Sequence, residues 1–453
     1  MSSIPIRYIS TQRSRSSGRA REPVSFREAL QSGLAPDGGL YLPETLPKLE
    51  EAGLEALRDA SYARVAFTLL KPFVEGAIAE DDFLRLCEEA YDFETPMEPV
   101  EKGVWILRLD RGPTASFKDY AARWMARMMR ALLPPGTVQT LLVATSGDTG
   151  SAVGEAFRGI HGFQVVLLYP EREVSPVQKL QLDHIGCNVR ALSVAGTFDD
   201  CQALVKRAFL DPDLDGLNLT SANSINIGRI LPQCVYYVYA WLRVSRRNGP
   251  VTFVVPSGNF GNSFGCELAR RMGLPVTRLI LAVNANEEFP LFLESGRYQP
   301  LRPSRACLSN AMNVGNPSNL ARFFDVYGGW VTPEGVVRKD PDLTAMRRTL
   351  ASVSISDEET VACIRDTWLR NRVLLDPHGA VGVAAWRKSG QGELPAVCLE
   401  TAHPAKFPEV IQQTLGFTPN PPAALCLAND RPAAVENLPA RYEALRETLI
   451  RTA

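Results

Sequence analysis

Short unbroken apolar runs recur along this chain, most of them closing on a loop of small polar residues and leading into a helix pattern. That recurrence limits the fold more than any other feature. Thr140-Leu141-Leu142-Val143-Ala144 leads into Ser146-Gly147-Asp148-Thr149-Gly150-Ser151 and an alanine-rich helix. Gln164-Val165-Val166-Leu167-Leu168-Tyr169 precedes a helix near 175–185 and the run Asn188-Val189-Arg190-Ala191-Leu192. Thr252-Phe253-Val254-Val255 opens on a Gly-rich loop; residues 104–109, 279–283 and 396–399 read as further strands. A strand covered on both faces reads as a continuous apolar run, and strand, loop, helix is the unit of a parallel sheet. The expected fold is therefore α/β with parallel strands. The units share no fixed period, so no solenoid is expected.

At 453 residues, the chain has room for about three domains. Residues 1–98 carry no obvious chemistry and read as an added N-terminal domain: a short helix from Phe26, a turn at Ala35-Pro36-Asp37-Gly38-Gly39, and amphipathic helices near 50–72 and 79–91. Residues 99–415 hold the α/β region, with 137–240 as a smaller, mobile α/β domain. Residues 416–453 are Pro-rich and then helical, and read as a C-terminal tail. The formal net charge of −1 excludes an electrostatic grip on nucleic acid or an anionic membrane. No apolar run approaches the ~18 residues that would span a bilayer. The nine cysteines include no Cys-x-x-Cys pair and their number is odd, so neither a zinc site nor a disulfide framework is expected and a reducing cytoplasm fits. Arg7, Arg13, Arg15, Arg19 and Arg21 all precede the first acid, Glu22. Without an amphipathic period, they read as an exposed arm rather than a transit peptide.

Chemistry concentrates in Pro113-Thr114-Ala115-Ser116-Phe117-Lys118-Asp119-Tyr120, which opens a helix. Ala121, Trp124, Met125, Met128, Met129 and Leu132 make its buried stripe. Lys118, three residues before Ala121 and seven before Met125, shares that face. Most lysines at a helix start snorkel to water. A lysine kept in low dielectric instead loses proton affinity, and a neutral amine is what Schiff-base chemistry requires.

Three further loops follow predicted strands, where open α/β sheets bind ligands. Pro256-Ser257-Gly258-Asn259-Phe260-Gly261-Asn262-Ser263 enters a helix, so its amides can hold a phosphate; its spacing is not that of a P-loop. Thr145-Ser146-Gly147-Asp148-Thr149-Gly150 offers a second anion site, or simple N-capping by Ser146 or Thr149. Thr401 ends a third strand, within Leu399-Glu400-Thr401-Ala402-His403-Pro404-Ala405-Lys406-Phe407, where His403 and Lys406 read as structural. Ser221-Ala222-Asn223-Ser224-Ile225-Asn226-Ile227-Gly228-Arg229 gathers amides and hydroxyls before a buried helix, and Arg229 can clamp a phosphate or cap the helix. An inward lysine, an anion loop and a strand-end hydroxyl are together what a pyridoxal 5′-phosphate site needs.

At these residues the chain resembles the long-form threonine synthases among the pyridoxal phosphate fold-type II (tryptophan synthase β-like) enzymes. The resemblance runs over nearly the whole chain, from Ala35–Tyr41 through Gly112–Asp119, Ala144–Gly150, Ser221–Asn226 and Val255–Gly261 to Thr401–Phe407. It implies that Lys118 carries the cofactor, that the backbone of Gly258, Asn259, Phe260 and Asn262 cradles its phosphate, and that Thr401 meets its ring nitrogen. Ser146, Thr149, Asn226 and Arg229 are the substrate candidates. No metal is implied. The implied reaction turns O-phospho-L-homoserine and water into L-threonine and phosphate, in a monomer or weak homodimer. Two departures stand out: Asn262 where the family often has Asp, and Glu400 where it often has a small residue, which would put a carboxylate near the cofactor ring. The alternatives are a phospho-lyase of the same fold giving 2-oxobutanoate and a non-catalytic cofactor-binding protein. A nicotinamide dehydrogenase fits less well, because no Gly-x-Gly-x-x-Gly follows an early strand.

Overall fold

Two sheets carry the fold, and the ends of their strands converge on one cleft. The computed structural model describes residues 4–13, 22–245, 247–390, 395–426 and 431–451. The larger sheet has six strands in the order Leu350–Ser354, Val276–Val283, Val251–Pro256, Ala396–Glu400, Val104–Arg108 and Met97–Glu101. Every neighbouring pair is parallel except the last, where Met97–Glu101 runs antiparallel. The smaller sheet has five parallel strands in the order Val435–Pro439, Val189–Ala195, Phe163–Pro170, Gln139–Ala144 and Leu219–Thr220. The α/β expectation with parallel strands thus holds. All but the shortest of the small-sheet strands lie in the runs read from sequence, with one exception.

That exception is Val435–Pro439. The segment after residue 416, expected as a helical tail, supplies the outer strand of the small sheet, with Val435 in register with Ala191 and Pro439 with Ala195. Its helix, Tyr442–Arg451, buries Leu445 and Leu449 against Leu192, Val194 and Leu204. A sheet face of this size needs apolar cover, and the end of the chain provides part of it. Leu445→Ala is expected to cost about 2–5 kcal/mol, as core truncations do. A thermal melt reads this directly, and an unchanged midpoint would return the segment to a mere appendage.

The N-terminal region does not form its own core. Strands Tyr8–Ser10 and Tyr41–Pro43 pair, helices Phe26–Ser32 and Glu80–Ala90 pack onto the helix Lys118–Leu132, and Tyr62–Leu70 packs onto Glu80–Ala90 and the helix Val235–Val244. Phe26 and Phe83 both set their rings against the fully buried Trp124 of that helix. The stripe Ala121, Trp124, Met125, Met128, Met129 and Leu132 is buried as its spacing predicts. Of the basic arm, Arg13 is tied down by Asp325 at 2.5 Å; Arg15, Arg19 and Arg21 lie outside the described residues. No helix among the described residues is long and apolar enough to cross a membrane.

Candidate active site

The Lys118 loop is held from two sides before its helix begins. Asp119 accepts from the Thr114 amide (2.9 Å) and hydroxyl (2.7 Å), closing the turn on itself. Gly112 must be glycine for that closure, because a Cβ there would sit 2.4 Å from the Asp119 carboxylate. Ala115 takes a positive φ of 54°, a conformation uncommon for a residue with a Cβ. Backbone bonds then zip the loop to the Thr401 segment: the Phe117 amide donates to the Thr401 carbonyl, and the His403 amide to the Ala115 carbonyl. Lys118 and Thr401, distant in sequence, are thereby fixed side by side.

Both line a cavity of about 570 Å³ that also receives Ser146, Thr149, Arg229, Gly258, Asn259, Asn262 and His378. Burial pushes the Lys118 amine down to about 8, partly opposed by Asp148, with Lys406 and Arg229 adding to the fall. This is the direction inferred from the helix stripe. Thr401 is buried, and its hydroxyl has no partner among the described residues.

The Gly-rich loop is built to leave its amides free. It follows the strand Val251–Pro256 and opens the helix Gly261–Arg271. Among the described residues, the N–H groups of Gly258, Asn259 and Phe260 donate to no protein acceptor. Gly258 is required by close approach: a Cβ would lie 2.5 Å from the Ala311 carbonyl oxygen. Phe260 enters the helix with φ 59° and buries its ring against Phe289, so only its backbone faces the loop. The Asn262 side chain is occupied, donating to the Pro256 carbonyl at 2.8 Å and accepting from the Ser263 amide. The Asn259 carboxamide accepts from Ser318 and donates to Ser224. Unpaired amides at the start of a helix, lined by a glycine that nothing larger could replace, fit a bound phosphate.

In the second loop, the helix Asp148–Phe157 is not capped by Ser146 or Thr149. Thr145 does that work, its hydroxyl accepting from the Gly147 amide at 3.0 Å and the Gly150 amide at 2.8 Å. The hydroxyls of Ser146 and Thr149 have no partner among the described residues and face the cavity. Arg229 lies close by and is buried, with one bond from its Nη1 to the Ala222 carbonyl (2.7 Å) and an Nε that meets no acceptor. Burial pushes its guanidinium down to about 10, so it stays charged at neutral pH.

Two expectations need correction. Asn226 does not line the cavity. It is fully buried and caps the helix Ile227–Ile230: its oxygen accepts from the Gly228 amide, and its nitrogen donates to the carbonyls of Leu30 and Ser221. Both N–H donors of the carboxamide are spent on protein carbonyls, which leaves none to hold a substrate phosphate. Glu400 does not approach the cavity either. Neighbouring residues of a strand face opposite sides, so while Thr401 looks into the cavity Glu400 looks behind it. There it accepts from the Asp376 amide at 2.7 Å and packs against Gly379. Burial, reinforced by Asp376, raises its proton affinity well above the usual carboxylate range.

Sequence reasoning missed other residues. Asp148 sits at the centre of a buried charge group, 2.6 Å from Lys406 and 3.8 Å from Lys118. The N-terminal region, read as chemically silent, contributes Thr11, Gln12, Leu34 and the Gly38–Leu40 turn to the cavity wall. A second groove, of about 760 Å³, between Glu80–Ala90 and the Lys118 helix is self-neutralised where Arg85, Arg123 and Arg127 face Asp82, Asp92 and Glu89. His403 serves its own turn, accepting from the Ala405 amide, and burial lowers its proton affinity to about 4.

Comparison with known proteins agrees with this geometry. Residues 91–398 match the family model for pyridoxal-phosphate dependent enzymes, residues 7–91 that for the threonine synthase N terminus, and residues 379–449 that for the threonine synthase C-terminal region. The chain is 38% identical to a threonine synthase of Pseudomonas aeruginosa, over 93% of each chain. Among solved structures, it superposes on pyridoxal-phosphate-bound threonine synthase from Brucella melitensis with a TM-score of 0.90 at 38% identity, over 99% of both chains. The Escherichia coli threonine synthase follows at 0.88 and 34%, over 99% of this chain and 100% of that one.

Proposed function

The chain belongs to the threonine synthase family of pyridoxal-phosphate-dependent enzymes, and from that premise we propose how its own residues divide the conversion of O-phospho-L-homoserine and water into L-threonine and phosphate. The observation that carries the reading is the meeting of three groups in one cavity: an amine held near pKa 8, a row of unpaired amides and an unpartnered threonine hydroxyl. Lys118 would anchor pyridoxal phosphate, the amides of Gly258, Asn259, Phe260 and Asn262 would hold its phosphate, and the Thr401 hydroxyl would bond the ring nitrogen without protonating it. When bound, the cofactor supplies the electron sink that lets protons leave carbon.

With substrate bound, the Lys118 amine would take the proton from Cα and move protons at Cβ and Cγ, work that needs an amine close to half-protonated at working pH. Arg229, with the hydroxyls of Ser146 and Thr149, holds the phosphate that leaves Cγ. A cation kept from water binds a phosphate dianion more strongly than one in bulk solvent. Water then adds at Cβ, and the cavity wall formed by the N-terminal region and the 137–240 domain limits how much water can enter. The finer expectations, a cytoplasmic enzyme acting as a monomer or weak homodimer, belong to the same reading.

Product analysis is the test. Purified protein with pyridoxal phosphate is given O-phospho-L-homoserine, and threonine, 2-oxobutanoate and phosphate are quantified together. Threonine matching phosphate one for one is expected. Phosphate accompanied mainly by 2-oxobutanoate would make the chain a phospho-lyase instead.

A further inference from the structure

Asp148 has two lysines to choose between, and it chooses the one that does not react. Its Oδ1 is 2.6 Å from the Lys406 Nζ and also accepts from the Gln178 side-chain Nε2 at 3.0 Å, while its Oδ2 stands 3.8 Å from the Lys118 Nζ. Lys406 is fully buried, and its second bond, 2.9 Å to the Thr114 carbonyl, anchors it to the loop that delivers Lys118. The Lys118 Nζ has no hydrogen bond among the described residues; it lies over the Phe117 ring at 4.5 Å. The other charges that face it are Arg229 and Asp376, and His378 faces Asp148. A buried ammonium survives only when a carboxylate is fully committed to it. Here the carboxylate is committed elsewhere.

We propose that Lys406 is a positioning residue of this site: by claiming the Asp148 carboxylate, it withholds a full counter-ion from Lys118 and keeps that lysine available as an amine. The inference rests on the reading of Lys118 as the reacting lysine. It also gives a role to the buried lysine of the Thr401–Phe407 stretch. The lowered proton affinity of Lys118 agrees with it: Asp148 raises that affinity and Lys406 lowers it.

The test reads Lys118 directly. Full-length protein without cofactor is acetylated with trace acetic anhydride across a pH series, and modification of Lys118 is followed by peptide mass spectrometry. The wild-type midpoint is expected near 8. In Lys406→Gln the freed carboxylate turns to Lys118, and the midpoint should rise by about one unit, leaving roughly tenfold less amine below it. The acid limb of kcat should move the same way, with KM little changed. Lys406→Arg, which keeps the cation, should restore the wild-type midpoint. A folded Lys406→Gln protein with an unshifted midpoint overturns the proposal. Should Lys406→Gln not fold, the double variant D148N/K406Q decides. Loss of two charges that cancel at Lys118 leaves the midpoint in place, whereas a fall of about a unit or more would mean that Asp148 chiefly serves Lys118 and the proposal fails. Failure to form threonine would count against the functional reading alone, because the labelling does not depend on turnover.

Discussion

Lys118→Ala is expected to reduce threonine formation by on the order of 10⁴–10⁶-fold, as removal of a residue that acts in every chemical step does. The same variant should remain folded. Lys118 opens its helix, a position where alanine is well tolerated, and its side chain gives up only the long contact to Asp148 and the Phe117 ring. Removing a partly desolvated cation also relieves a cost of burial. The expected signature is therefore a near-normal melting temperature, loss of the bond between chain and pyridoxal phosphate that borohydride reduction makes permanent, and no threonine above background. Substantial threonine from this variant would remove Lys118 from the centre of the site and with it the division of labour proposed here. A collapsed melting temperature would instead show that the lysine supports the loop, although Asp119, Thr114 and the backbone zip to Thr401 already account for the loop's shape.

Lys118 was legible because two periodicities agree on it: the apolar stripe places it on the buried face, and the strand before it places it at a sheet end. The Gly258–Asn262 loop was legible for a similar reason, since glycines between an apolar run and a helix mark a backbone that must turn tightly or approach a ligand closely. Asp148 was not. An acid in a Gly/Thr loop at a helix start reads as dipole complementarity, and its second lysine arrives from a distant part of the chain, just past the strand Ala396–Glu400 of the other sheet. The placing of Glu400 was within reach: if Thr401 faces the cavity, strand alternation sends Glu400 the other way. Asn226 misled because an amide beside a candidate clamp looks like a ligand. Only the carbonyls of Leu30, brought in by the N-terminal region, and of Ser221 in its own loop show that its donors are spent. Val435–Pro439 is polar and contains proline, so its composition argues against a strand. It pairs because edge positions tolerate what central ones do not.

Arg229 is the residue for which stability and function should part company most clearly. It is buried, forms no ion pair among the described residues, and leaves Nε without an acceptor. A guanidinium in that state destabilises the free protein, so Arg229→Met should leave the melting temperature unchanged or raise it. The same change should lower kcat/KM for O-phospho-L-homoserine by about 10²–10³-fold, the range found when a preorganised donor to developing charge is lost. Inorganic phosphate gives a second readout: as a product it should raise the melting temperature of the wild type through binding and leave that of Arg229→Met where it is. Asn226→Ala is the matched contrast. It strands two carbonyls and uncaps a buried helix, which should cost about 1–2 kcal/mol with KM close to normal in the protein that folds. If Arg229→Met instead melts early and binds phosphate normally, the guanidinium is a structural tie to Ala222. The cation for the substrate phosphate would then have to come from another residue of the cavity wall, with Lys206 and Arg302 the remaining cations there.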